Sequence, residues 1–350
     1  MNRKTMFSAS ALCLLTLLAW PHQLSFVVAS KHQQKTSIAN VDFFGYGNLE
    51  VKKLRSALPI KAGDSIKQSE WSTYRSRIEE AIRSETGKPA TDVQIVCCNE
   101  EGNPMVYIGV AGTSSVAARH KPAPAGEVRL PAAALKLNQE TEEALRKAAL
   151  AGRSQQDLSN GYALSVDPEL RTKELQIREF ALHNEKLLRT VLSSSSEAEH
   201  RAIAAEFLGY VNTSARQIAD LTKAARDPYE GVRNNAVRAL GVIAGSSQQR
   251  ARMISAKPFI ALLKSDKWVD RNKGCWLMIS LTASRDSKLL TQLRSEAMDA
   301  LIEMARWRFV GHASAARRLL GRIGGIEESK LDTLIDDQTE SIIAAAQKSR

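Results

Sequence analysis

Near the C-terminus, Arg306-Trp307-Arg308 and then Arg317-Arg318 with Arg322 bring guanidinium groups together around an indole. A guanidinium keeps its charge at any physiological pH and presents a fork of N–H donors that fits carboxylate or phosphate. These six residues are therefore the candidate surface for an anionic partner. The charge distribution agrees: residues 170–350 hold 29 basic and 21 acidic residues, whereas residues 31–112 hold 11 and 10. The same arginines would also serve as a solvated helix face with ion pairs inside the repeats, since charge runs commonly provide solubility. Both readings remain open at this level.

Other reactive side chains form no constellation. His32, His120, His183, His200 and His312 are scattered, no His is followed by Glu, and no further Cys or His stands at ligand spacing from Cys97-Cys98. Adjacent cysteines on a strand point to opposite faces, giving one buried and one exposed thiol; a vicinal disulfide or a metal pair is the alternative. Cys275 falls in an apolar helical pattern and reads as core. Gly45-Tyr-Gly-Asn lacks the third glycine of a dinucleotide loop, and there is no Walker pattern and no Gly-x-Ser-x-Gly elbow. The sequence thus assigns no catalytic residue, cofactor, metal or small-molecule substrate.

The chain has 350 residues, 49 Lys+Arg against 38 Asp+Glu, 43% hydrophobic and 5% aromatic residues. That length is expected to give two domains at roughly 150 residues each, and the Ala-, Leu-, Arg- and Glu-rich stretches favour helix over a β-sandwich. Residues 1–30 have the layout of a secretory signal: Arg3-Lys4, an apolar run from Ala11 to Trp20, then Val27-Val28-Ala29-Ser30 with small residues at the exit. The apolar run is about half the roughly 20 residues a spanning helix needs. Cleavage near Ser30 and an exported, periplasmic or secreted protein are expected; an uncut anchor is the alternative. Export makes nucleic acid an improbable ligand for the arginines and leaves anionic lipid, wall polymer or acidic protein.

Residues 37–112 read as a small α+β domain. Ser37 to Phe44 alternates as a strand, Glu50 to Leu58 makes a short helix, and Glu70 to Ser84 places Trp71, Tyr74, Ile78 and Ile82 at helical spacing. Val93 to Cys98 and Met105 to Val110 alternate around a turn. The β-α-α-β-β order, the Phe44-Gly45-Tyr46-Gly47-Asn48 turn and Leu58-Pro-Ile-Lys-Ala-Gly-Asp64 resemble a polypeptide-transport-associated (POTRA) domain. Such domains bind partners by adding a strand to an open sheet edge; a single copy with no barrel after it excludes a translocating pore and leaves only the recognition role. Residues 113–168 read as a Pro/Ala-rich linker with one helix, Asn138 to Leu150, and no core of its own.

From 169 to 350 every apolar pattern has helical period and the segments repeat. Arg201 to Val211 aligns with Arg233 to Ile243, and weaker copies begin at Arg271 and Ala313. Gly209, Gly241, Ile279 and Gly321 mark equivalent positions at steps of 32, 38 and 42 residues, which suits two-helix units with variable loops. Ala224 to Gly241 closely resembles a HEAT repeat, with Asp227-Pro228 at the turn and Arg233 in the family's arginine position. The fold class is then multidomain, a small α+β domain followed by an all-α HEAT-like superhelix. What the resemblance implies is a non-enzymatic interaction or scaffold protein of the cell envelope that binds protein partners; a HEAT-like lyase or hydrolase with an unrecognised site is the alternative.

Overall fold

The computed structural model describes residues 36–348, apart from Glu100 and Ser154; the signal-peptide reading lies outside them. The N-terminal elements are β1 Thr36–Ser37, β2 Asn40–Phe44, α1 Val51–Ala57, β3 Ser65–Ile66, α2 Trp71–Thr86, β4 Asp92–Val96 and β5 Met105–Gly109. β5 takes the centre of a three-stranded sheet, parallel to β2 and antiparallel to β4, while β1 and β3 pair separately. Strand alternation then sorts the side chains onto two faces. Val41, Phe43, Val106 and Ile108 meet Leu54, Ile78 and Ile82 of α1 and α2. Phe44, Met105 and Tyr107 turn the other way, into the core of the helical region.

That region contains α3 Ala132–Leu150, a hairpin of β6 Gln156–Asp157 and β7 Leu164–Ser165, then α4 Pro168–Ser194, α5 Ala198–Leu208, α6 Ala215–Ala224 and α7 Glu230–Ser246. There follow α8 Gln248–Ala251, α9 Lys257–Ile260, α10 Trp268–Leu281, α11 Ser287–Ala305, α12 Val310–Ile323, α13 Glu328–Leu334 and α14 Thr339–Lys348. The chain is a helical-repeat solenoid behind a small sheet. α5, α7, α10 and α12 are the second helices of successive units, and the aligned positions 201, 233, 271 and 313 each fall in the fourth place of their helix. The sequence repeat therefore keeps its register through all four copies. Leu208, Leu240, Leu277 and Leu320 are buried in one continuous core, as stacked units require. In the third unit the first helix is broken, because Pro258 opens α9 and cannot sit inside a longer helix. α3 starts earlier than expected, at Ala132, since Pro131 leads directly into a run of strong helix formers.

The linker departs most from expectation. Residues 113–131 form a strap along the turns that join the two helices of each unit. Val116 pairs with the third unit, its N–H donating to Lys264 O (2.8 Å) and its carbonyl accepting from Asp266 N (3.1 Å). Lys121 N donates to Arg226 O (2.8 Å) in the second unit, and Gly126 exchanges bonds with Ser194 and Ser196 (2.8 and 2.7 Å) in the first. Five residues of strap carry it past each unit. A Pro-rich extended segment has unpaired backbone groups, and here the turns supply their partners.

The α+β domain also packs against the solenoid. Its sheet is covered on both faces, and the second cover is the edge of the solenoid itself. Tyr107 stacks on Trp268 (ring centroids 5.1 Å apart) and meets Trp307 edge-on (5.0 Å), while its hydroxyl bonds to His312 Nδ1 at 2.6 Å. Asp92 Oδ2 accepts from Trp268 N (2.9 Å) at the start of α10. A small sheet exposes an apolar face that one helical layer leaves uncovered; the solenoid completes it.

Candidate functional site

In α5, α7 and α10 the fourth place is an arginine, which reaches forward to a carboxylate of the next unit and back to the carbonyls of its own turn; in α12 it is Ala313. Arg201 forks onto Asp227 (3.0 and 2.9 Å) and donates to Ser195 O and Ser196 O. Arg233 binds Asp270 (2.7 Å), Asp227 O and Pro228 O. Arg271 binds Glu303 (3.0 Å), Ser265 O and Ser114 O. All three are buried, and a buried charge persists only when its donors are satisfied in this way. The third rung also anchors the sheet domain: Glu303 accepts from the N–H groups of Gly45 and Gly47, each at 2.7 Å, and from the Ser114 hydroxyl. The turn glycines have positive φ, +77° and +53°, and a Cβ on Gly45 would come within 2.5 Å of Val110 O. The Gly-Tyr-Gly turn thus matters for aiming two amides at one carboxylate.

The six residues proposed from sequence as an anionic surface are dispersed into structure. Trp307 is buried and donates from Nε1 to Phe43 O (3.1 Å). Arg308 binds Asp42 through its backbone N–H (2.8 Å) and lies 3.8 Å from the same carboxylate through Nε. Arg317 is buried and donates to Ala305 O, Ile335 O and Asp336 O, tying α12 to the turn before it and the turn after α13. Arg318 pairs with Glu328 and Asp332, and Arg322 with Glu328, Ile279 O and Thr282 Oγ1. Burial pushes the Glu328 carboxyl up, but Arg322, Arg318 and Arg285 outweigh it and hold it down at about 2. Arg306 and Arg308 are exposed, and Arg306 is bidentate to Glu340 at 2.9 Å. The structure does not gather these residues into one open cationic surface: the guanidiniums of Arg306, Arg317, Arg318 and Arg322 are hydrogen-bonded within the fold, and that of Arg308 lies beside Asp42.

Cations without partners collect elsewhere. A cleft of about 790 Å³ lies between α4 and α6. α4 contributes Lys186, Arg189, Thr190 and Ser193, and α6 contributes Arg216, Asp220 and Lys223. Each set follows i, i+3/i+4, i+7 spacing and so shares one helix face. Lys121 joins them from the strap. Both carboxylates of the cleft, Glu185 and Asp220, are taken by Arg189. Among the described residues Lys121, Lys186, Arg216 and Lys223 have no ion-pair partner. Burial, followed by the opposing effects of Asp227 and of nearby Lys223, Arg201 and Arg226, leaves the Lys121 amine below its usual value. Sequence reasoning missed this site because the spacing is that of any solvated helix face; only the pairing of α4 with α6 and the path of the strap bring the two faces together.

Carboxyls with raised pKa values stand apart from the cleft. Burial, with a smaller push from Glu206, raises Glu142 to about 7; burial likewise raises Glu174 and Glu230 to about 7. The void beside Glu206, lined by Tyr210, Asn235 and Arg238, has about 10 Å³, the space of one water. Cys97 and Cys98 are joined in a disulfide, and Cys275 is free and buried. The two-thiol reading fails because strand β4 ends at Val96, so the alternation of faces no longer governs them. Among the described residues no three His, Cys, Asp or Glu side chains form a metal site, and no helix is long and apolar enough to cross a membrane.

No family model and no curated protein matches the chain. Solved structures similar to it include a designed armadillo repeat protein in complex with the peptide (KR)4, 15% identical, covering 52% of this chain and 92% of that one at a TM-score of 0.36. Computationally designed armadillo repeat proteins for modular peptide recognition match at 16% identity over 52% of this chain and 94% of theirs, TM-score 0.36. An engineered protein matches at 15% identity over 53% and 91%, TM-score 0.37. At these scores the solenoid assignment rests on this chain's own helices.

Proposed function

We propose that the chain is an exported, non-enzymatic scaffold of the cell envelope, in which a HEAT-like solenoid and a POTRA-like sheet domain bind protein partners. The observation that carries this reading is a separation. The carboxyls with pKa values near 7, Glu142, Glu174 and Glu230, line neither the void of about 10 Å³ beside Glu206 nor the large cleft, whereas substrate pockets need roughly 300–1,000 Å³; the large cleft holds cations instead. A helical-repeat lyase or hydrolase would need acid–base groups and space in one place. Strand addition is narrowed to one edge. Val41 O and Phe43 O on β2 already accept from Arg55 (2.6 Å) and Trp307 (3.1 Å), leaving β4 as the edge for a partner strand. Export rests on Arg3-Lys4, the short apolar run and the small residues to Ser30.

Photo-crosslinking residues placed at Gln94 on β4 and at Ser280 on α10 are expected to trap discrete protein adducts in intact cells. N-terminal sequencing of the native chain is expected to begin at Ser30 or Lys31. A smear or no adduct at either position would sink the scaffold reading, and retention of Met1 to Trp20 would sink export.

A further inference from the structure

We infer that the cleft between α4 and α6 is a binding site for a ligand bearing more than one phosphate. Four cations face it without ion-pair partners, Lys121 from the strap, Lys186 from α4, and Arg216 and Lys223 from α6. Elsewhere in the solenoid the arginines of the ladder and of the C-terminal cluster are matched by carboxylates or carbonyls. Four like charges converging on one concavity repel one another, and a polyanion relieves that repulsion. The two carboxylates present relieve it only in part, because both are engaged by Arg189 and one net negative charge is left against the four cations.

The donor set favours phosphate over a simple carboxylate. Lysine ammoniums act as movable point charges for phosphate oxygens, and Arg216 adds one guanidinium fork. Of the hydroxyls in the lining, those of Thr190 and Ser193 donate to the α4 carbonyls of Lys186 and Thr190, which leaves Ser214. Ser214 caps α6, its oxygen accepting from Gln217 N at 3.1 Å, so its own proton remains free to donate. The cleft exceeds what one phosphate fills and falls within the size that encloses a small organic ligand. The strap makes the site conditional on the fold: Lys121 is placed by its own N–H on Arg226 O at 2.8 Å. A small molecule with several phosphates and the two-phosphate headgroup of cardiolipin share this chemistry. The inference stands apart from the protein-scaffold reading and survives or fails without it.

The test uses the full mature chain with inorganic tripolyphosphate in calorimetric titration at low salt. Binding is expected, and Lys121→Gln/Arg216→Gln/Lys223→Gln should weaken it about tenfold or more, since the loss of even one charged hydrogen bond is worth roughly that factor. Lys257→Gln/Lys288→Gln/Lys330→Gln removes the same charge from exposed positions outside the cleft and should weaken it far less. Tripolyphosphate should also protect Lys121, Lys186 and Lys223 from acetylation in the unmutated chain, while Lys257 and Lys330 react as before; this readout does not depend on any variant folding. Flotation with cardiolipin-containing vesicles separates the sources. Vesicle binding that tripolyphosphate displaces assigns a lipid headgroup, and tripolyphosphate binding without vesicle binding assigns a soluble ligand. No tripolyphosphate binding, equal loss in both triple variants, or uniform acetylation would overturn the inference.

Discussion

Two basic regions of this molecule have similar composition and opposite uses. Around Arg306 to Arg322 the guanidiniums run into Glu328, Asp332, Glu340, Asp42 and a set of backbone carbonyls, so their charge is consumed in joining α12, α13, α14 and the sheet domain. Around Lys121, Lys186, Arg216 and Lys223 the cations face open space. The sequence signal is stronger for the first, because arginine clusters stand out in a linear chain. The lesson is that arginine density marks demand for hydrogen-bond donors as readily as a binding surface, and that lysine, a poorer fork, is the better indicator of unspent charge.

The largest effect should come where a paired guanidinium joins both domains. Arg271→Met removes the partner of buried Glu303 and the donor to Ser114 O, and breaking a buried pair from one side costs about 3–5 kcal/mol. Because Glu303 also holds Gly45 and Gly47, the loss should extend to the sheet domain. The unmutated chain is expected to melt in one cooperative transition by calorimetry, and the variant in two. Two transitions in the unmutated chain would mean that the shared rung does not couple the domains.

How far the sequence showed this can be read from particular residues. The positions 201, 233, 271 and 313 kept their register because helical period and the Arg–Leu–Gly pattern are local properties, and β-α-α-β-β order follows from alternation and turns. Arg233 was legible at its repeat position, but the ladder it forms with Asp270, like that of Arg201 with Asp227, shows only in the structure. Glu303 was invisible, since nothing in its neighbourhood on α11 announces that Gly45, Gly47 and Ser114, from the distant N-terminal region, will share it. The strap was misread for a related reason. Lys121-Pro-Ala-Pro-Ala-Gly126 has the composition of a free linker, and its backbone partners at 194, 196 and 226 are set by tertiary proximity alone. The phosphate cleft depended on the same strap and so was beyond reach.

Apolar stacking offers a measure against which the charged rungs can be judged. Leu240 on α7 is fully buried in the core that runs between units, and Leu240→Ala should cost about 2–5 kcal/mol through lost transfer energy and the cavity left behind. Chemical denaturation read by circular dichroism checks this. A cost below that of an ordinary surface change would mean that the ladder, not the leucine core, holds neighbouring units together.

Carboxyls at the two ends should respond to pH with opposite sign. Glu142 is raised from 4.5 to about 7 in the fold, by burial first and by Glu206 second. Its contribution is fully present below about pH 4.5 and is lost as pH rises through 7, an effect on the order of 3 kcal/mol at the upper limit and smaller where water reaches the group. Glu328, held at about 2, contributes above 4.5 and loses its contribution only as pH falls through 2. Melting temperature should therefore fall between pH 5 and 8, and Glu142→Gln should flatten that slope while Glu328→Gln should leave it in place and lower stability throughout the range. An unchanged slope in Glu142→Gln would assign the titration to Glu174 or Glu230.

The smallest effect belongs to Arg306, an exposed member of the arginine cluster, and it tests whether pairing alone separates the two basic regions. Arg306 forks onto Glu340 at 2.9 Å through two bonds, yet about half of its side chain and two-thirds of that of Glu340 remain exposed. An exposed pair contributes about 0–1 kcal/mol, and salt screens it over roughly 8 Å at physiological strength. Arg306→Gln should thus change stability by less than about 1 kcal/mol at low salt, with the difference vanishing as salt is raised. It should also leave tripolyphosphate binding unchanged, because Glu340 already neutralises the charge that is removed. If Glu340→Gln, which frees Arg306, were to create a second tripolyphosphate site near α14, pairing would be confirmed as the property that silences this region. If it creates none, the concavity formed by α4, α6 and the strap, rather than unpaired charge, is what makes the cleft selective.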